Sequence, residues 1–164
     1  MIKSSKSQSA LEFLTTYGWA FLVILIMIGT LAYFGILTPS KVLPNRCTIG
    51  AEFSCLDYKI DATGNTFRIR LKNNVGEPIS ISALTLGSES SAAFSCTLTT
   101  PAILPFTFAT GTPQDFIWGT CNSAAAGMIV GEKGKILLTL TYNSIASGST
   151  YSRQTKGEVY AAVQ

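Results

Sequence analysis

Histidine is absent from this sequence of 164 residues, and charged residues make up only 13% of it. Histidine is the commonest general base and the commonest side-chain ligand of metal ions near neutral pH. The sequence also contains no P-loop, nucleophile elbow or zinc-protease motif. We therefore expect that the protein is not an enzyme and has no catalytic residues, no metal site and no cofactor.

Blocks of like charge are also missing, and the formal net charge is only +3. Proteins that bind nucleic acids normally carry a basic patch or stripe. We therefore expect no nucleic-acid partner. The nine acidic residues are scattered, which is typical of solvated surface positions.

Charge is missing altogether from one long segment, which runs from Phe13 to Leu37 and is apolar on all sides. A helix of this length would extend about 37 Å, more than the roughly 30 Å of a bilayer's hydrocarbon core. Lys3 and Lys6 precede the segment, and Glu12 stands at its edge. A short basic N-terminus favours the cytoplasmic side, so the residues after the segment are predicted to face outward.

Four cysteines follow the apolar segment, at Cys47, Cys55, Cys96 and Cys121. An even number on the outward side of a membrane favours two disulfides. Free buried thiols and a zinc site are the alternatives, although no C-x2-C pair is present. Of the three pairings, we prefer Cys47 with Cys55 and Cys96 with Cys121, because this choice closes the shorter loops.

The remainder of the chain predicts β-strands. Pro39 and Pro44 end the helical segment, and residues 101–116 are predicted to form an ordered loop. Short strands without helical periodicity favour a sandwich. The fold class is therefore α+β, with a long N-terminal hydrophobic α-helix followed by an all-β sandwich of the immunoglobulin-like kind. The predicted strands lie at residues 67–72, 79–86, 92–99, 115–118, 135–142 and 157–163.

The start of the chain carries a more specific pattern, "KSSKSQSALEF", in which a short basic leader meets the apolar segment. This pattern resembles the class III signal peptide of archaeal type IV pilins. In that family the cut falls just before the apolar segment, Gln is often the first mature residue, and Glu is typical at the fifth mature position. Cleavage between Ser7 and Gln8 would give Glu12 that position. Ser7 departs from the family, in which Gly commonly precedes the cut.

The resemblance implies a structural subunit of an extracellular filament on the cell surface, used for adhesion or cell contact. Its precursor would lie in the cytoplasmic membrane. Its partners would be a prepilin peptidase, an assembly ATPase, a platform protein and further copies of the chain in a helical homo-oligomer. The implied segments are a leader (1–7), an assembly helix (8–38), a linker (39–46) and an outer domain (47–164).

Three residues are assigned to assembly on this basis, namely Glu12, Gly18 and Gly29. Cleavage would create an α-amino group at Gln8 of opposite charge to Glu12, and such a pair would set the register between helices, because an unpaired buried charge is heavily penalised. Small residues let helix backbones approach closely. Ser9 also precedes Glu12 by three residues, as in a capping box at a helix start.

Two alternatives stay open at this point. In the first, Glu12 only reaches the lipid headgroups and has no role in assembly. In the second, the chain is a cell-surface binding domain that a single transmembrane helix anchors permanently. Whether the protein forms filaments distinguishes the pilin hypothesis from the anchored-domain hypothesis.

Overall fold

The computed structural model describes residues 5–35, 43–89 and 93–164, with side chains described from residue 11 onward. The chain divides into two compact units, Met1–Leu43 and Pro44–Gln164. The first unit contains one described helix, α1 (Ser5–Tyr33). The second is built from antiparallel β-sheets. The predicted fold class, a long apolar helix followed by a β-rich domain, is confirmed.

Nine strands are formed by the described residues, and they belong to two sheets. The five-stranded sheet has the order β1-β9-β8-β4-β6, and the four-stranded sheet has the order β2-β3-β7-β5. The strands are β1 (Arg46–Thr48), β2 (Phe53–Asp61), β3 (Thr66–Asn73), β4 (Ile79–Ser88), β5 (Thr97–Thr100), β6 (Phe106–Phe108), β7 (Pro113–Gly119), β8 (Lys133–Ser144) and β9 (Arg153–Ala162).

Alternation along the strands divides core residues from surface residues. In β3, Phe67, Ile69 and Leu71 are buried, whereas Arg68 and Arg70 between them are exposed. This is the result expected from the two-residue period of a strand. The charged side chains of β3 therefore lie on the outer face of the four-stranded sheet.

Aromatic rings fill the space between the two sheets. The ring centroid of Phe53 in β2 lies 6.2 Å from that of Phe108 in β6 and 5.3 Å from that of Tyr142 in β8. Phe116 of β7 lies 5.6 Å from Phe108. Each of these contacts joins one sheet to the other, so the second unit is a β-sandwich with a single core.

Two disulfides connect strands of the sandwich. Consecutive strands β1 and β2 lie at the edges of different sheets, and the Cys47–Cys55 disulfide connects them. The Cys96–Cys121 disulfide ties the start of β5 to the end of β7. These are the pairs preferred from the sequence, and no cysteine is free.

Two predicted segments need correction, and strand β2 is an addition. Residues 101–116 were expected to form a loop, but they contain β6 and the start of β7. The strand expected at 92–99 is the shorter β5. Strand β2 was not predicted. In β2 the register shifts between Cys55 and Asp57, and this bulge interrupts the alternation from which strands are recognised.

The strand register places the loops at two opposite ends of the sandwich. The chain enters next to Arg46, which pairs with Tyr160 near the end of β9. The opposite end, which we call the distal end, lies where Ile79 of β4 pairs with Ser144 of β8. The distal end is formed by the loops 74–78, 109–112 and 145–152.

Asn73 holds the distal end together. Its side chain is 1% exposed. Its amide nitrogen donates to the carbonyl oxygens of Glu77 at 2.9 Å and Phe108 at 3.0 Å. Its amide oxygen accepts a hydrogen bond from the backbone N–H of Val75 at 2.9 Å. One side chain therefore links the loop 74–78 to β6.

We expect Asn73→Ala to lower the free energy of unfolding by about 2–4 kcal/mol, because three backbone groups lose their partner and at least one of them is buried. Asn74→Ala is the matched control. The Asn74 side chain is exposed, and Ser54 is its one hydrogen-bond partner among the described residues, so its loss should cost less than about 0.5 kcal/mol. Urea unfolding measures both values. Equal small losses would contradict the role assigned to Asn73.

Candidate functional site

Among the described residues, one helix is long and apolar enough to cross a membrane, at Leu11–Tyr33. Its large apolar side chains are exposed, from 41% for Leu31 to 87% for Tyr33. A continuous apolar surface of this size marks a site that lipid or protein covers. A helix that is apolar all round is buried in a membrane or in a core.

The helix satisfies its threonine hydroxyl groups internally. The hydroxyl groups of Thr15 and Thr16 donate to the backbone carbonyl of Glu12 at 3.0 and 2.9 Å, and that of Thr30 donates to the carbonyl of Met27 at 2.8 Å. Back-bonding of this kind accommodates hydroxyls in an apolar helix. The Glu12 carboxylate, in contrast, makes no hydrogen bond or ion pair with any side chain described from residue 11 onward.

Gly18 and Gly29 lie on one face of α1. At about 100° per residue, two positions eleven residues apart differ by only about 20° around the helix. Apart from the adjacent residues and the backbone of its own turns of helix, a Cβ at either position would meet no described atom within 4 Å. Glycine inside a helix costs about 1 kcal/mol relative to alanine. Packing within the chain does not explain this cost, whereas a neighbouring helix at close range would.

Glu12 lies on a different face from the two glycines. It is offset by about 120° from Gly18 and shares its face with Trp19 and Thr30, by the same helical geometry. The carboxylate and the glycines are thus separate features of α1. The carboxylate can make a polar contact with a neighbouring molecule, and the glycine face can pack closely against a neighbouring helix.

The predicted processing site lies at the start of the same helix. Ser7 and Gln8 have helical backbone, but their side chains, and residues 1–4 altogether, lie outside the described residues. Helix α1 begins at Ser5. Ser9 is therefore inside the helix and not at its N-cap, so the capping prediction is wrong. The helix extends further towards the N-terminus than that pattern indicated.

Several charged residues of the sandwich form exposed or partly exposed ion pairs. Arg70 donates to both carboxylate oxygens of Asp115, at 2.6 and 2.8 Å. This hydrogen bonding lowers the pKa of Asp115 and raises the pKa of Arg70. Lys135 lies 2.8 Å from a carboxylate oxygen of Glu89 and 3.2 Å from one of Glu158. Exposed pairs of this kind contribute little to stability.

Within the described ranges, no three metal-ligating side chains lie close enough together to hold a metal ion. The scan against protein-family models finds no match to this sequence, and the search of the curated proteins finds none either.

Proposed function

We propose that the chain is an archaeal type IV pilin, a filament subunit that polymerises through α1 after cleavage between Ser7 and Gln8. One observation carries this proposal. The exposed apolar helix bears a single carboxylate, Glu12, one turn beyond the proposed cut, and a separate disulfide-bonded sandwich follows it. The filament would serve surface adhesion or cell contact.

Assembly on this proposal moves α1 from lipid into a bundle of identical helices. Its apolar surface stays out of water in both places, so contacts between helices decide the outcome. Gly18 and Gly29 permit close approach of the backbones. The bulky side chains of the other faces would fill the space between more distant helices.

Glu12 would supply the register of the bundle. The α-amino group created at Gln8 lies four residues before Glu12, about one helical turn away. When subunits stack with an axial offset, the amine of one subunit can approach the carboxylate of its neighbour. In an apolar bundle only a register that pairs these charges avoids the cost of an unpaired ion.

The proposed partners follow from this pathway. The precursor would lie in the cytoplasmic membrane, where a prepilin peptidase cuts it and an assembly ATPase and platform protein extrude it. The sandwich would face outward, and its two disulfides suit an oxidising compartment. The finished filament would be extracellular.

The second candidate is a cell-surface binding domain on a permanent anchor. The observation that favours it is the length of Leu11–Tyr33, which suffices for one membrane crossing. The anchor needs neither cleavage nor a defined role for Glu12. The anchor hypothesis also does not explain why the helix contains Gly18 and Gly29, which lower helix stability.

We expect the protein sheared from the cell surface to lack residues 1–7, and therefore Lys3 and Lys6. Intact-mass measurement and N-terminal sequencing of the sheared fraction check this, with Gln8 as the expected first residue. The membrane fraction of cells lacking the peptidase serves as the uncleaved control. Full-length 17.5 kDa chain in sheared filaments would contradict the cleavage, and full-length chain found only in membranes would support the anchor.

A further inference from the structure

A small cavity of about 60 Å³ opens at the distal end of the sandwich. It is far smaller than the roughly 300–1,000 Å³ of a pocket that encloses a whole ligand. It has room for one substituent of a larger molecule. Its inner wall includes Ile79, Tyr142 and Ser144, and its rim includes Glu77, Tyr151 and Arg153.

The Ser144 hydroxyl is the unusual group in this cavity. Its oxygen is buried and has no hydrogen-bond partner among the described residues. Ser144 pairs with Ile79, whose side chain is fully buried, so both face the interior of the sandwich. A buried hydroxyl without a partner lowers stability. Binding a hydroxyl group of a ligand would remove that cost.

The rim adds an aromatic surface and two opposite charges. The Tyr151 side chain is 69% exposed, although aromatic side chains usually bury most of their surface. Neither Glu77 nor Arg153 forms an ion pair within the described residues. A carboxylate accepts hydrogen bonds and a guanidinium donates them, so together they can bind neighbouring hydroxyl groups.

The remaining polar group of the wall is the Tyr142 hydroxyl. Burial raises the pKa of Tyr142, and the negative charge of Glu52 raises it further, whereas Arg153 lowers it. Tyr142 is therefore protonated at neutral pH. The cavity then offers two neutral hydroxyl groups in its wall and formal charges only at its rim.

We propose that this cavity is a subsite for a neutral saccharide, whose pyranose ring packs on Tyr151 while one hydroxymethyl or hydroxyl group enters the cavity and bonds to Ser144. The wall combines apolar and hydroxyl groups, as a hydroxymethyl substituent requires. Every residue involved belongs to the sandwich, so the inference does not depend on filament formation.

The test is saturation-transfer NMR on the full chain in lauryldimethylamine oxide, a detergent without sugar groups. The probes are the methyl glycosides of α-mannose, β-galactose and β-glucose. We expect transfer to at least one glycoside. Tyr151→Ala should weaken its binding by about tenfold or more, because the variant loses the aromatic face on which the C–H groups of the pyranose ring pack. Tyr160→Ala, at the other end of β9, is the matched control and should leave binding unchanged.

The variant Ser144→Ala distinguishes an effect on ligand binding from an effect on protein stability. We expect it to weaken binding by about fivefold or more through the lost hydrogen bond, and to raise the Tm because a partnerless hydroxyl is removed. A higher Tm with unchanged binding would overturn the proposal. So would the absence of transfer to all three glycosides, or transfer that Tyr151→Ala does not reduce.

Discussion

Glu12→Ala is expected to leave few or no filaments on the cell surface, while the amount of folded, disulfide-bonded protein stays normal. Glu12 belongs to the helical unit, and its carboxylate makes no hydrogen bond or ion pair with any side chain that the structure describes. In the proposed bundle, however, its loss leaves the α-amino group of Gln8 unpaired. Removing one partner of a buried charge pair costs about 3–5 kcal/mol, and every subunit of the filament bears that cost.

Electron microscopy counts the filaments, and a blot of total protein controls for expression. Thr16→Val is the matched variant, because Thr16 is also a polar residue near the start of α1, but its hydroxyl bonds to the carbonyl of Glu12 within the same helix. We expect normal filaments from Thr16→Val. Abundant filaments from Glu12→Ala would remove the assembly role of Glu12. Wild-type cells without filaments would support the permanent anchor.

The strands that could be predicted best from the sequence have regular alternation, which in β4 continues on either side of a register shift between Ile81 and Ala83. The runs at 67–72, 79–86, 135–142 and 157–163 lie within β3, β4, β8 and β9, apart from the last residue of the final run. In each strand one face meets the core and the other meets solvent, so the sequence itself carries a two-residue period. The last of these strands, β9, is an interior strand of its sheet.

Two of the strands that were missed, β1 and β6, depend on partners that are distant in the sequence. β1 and β6 have three residues each, which is too short for a recognisable period. β6 forms because Ile79, Ser80 and Ile81 of β4 offer it a paired edge. Such pairing is a property of the assembled sheet, and the sequence of residues 106–108 alone does not indicate a strand.

The two candidate sites also differ in how far they could be predicted from the sequence. Glu12, Gly18 and Gly29 could be selected from the sequence because helical spacing is a local property, and the structure adds that neither glycine is explained by packing within the chain. The distal cavity could not be predicted. Its residues come from three separate stretches around Glu77, Ser144 and Tyr151, and only the sheet register brings them together.

Removing both disulfides is expected to unfold the sandwich near 37 °C. In the chain-entropy treatment, a loop of 8 residues for Cys47–Cys55 and one of 25 for Cys96–Cys121 contribute about 2.5 and about 3.5 kcal/mol. Their sum of about 6 kcal/mol is comparable to the whole stability of many domains, about 5–15 kcal/mol. Trp118, which is 1% exposed in the core, reports unfolding by fluorescence once Trp19→Phe has removed the other tryptophan.

The two single-bridge variants test why the bridges stabilise. Cys96→Ala/Cys121→Ala should be the more harmful pair, by about 1 kcal/mol from loop entropy alone. The side chain of Cys121 is also buried, at 6% exposure, so truncation to alanine leaves unfilled core volume. Cys47→Ala/Cys55→Ala should cost less, because β1 and β2 are already neighbours in the chain. The reverse order in urea unfolding would mean that the link between the edges of the two sheets stabilises the sandwich more than its short loop implies.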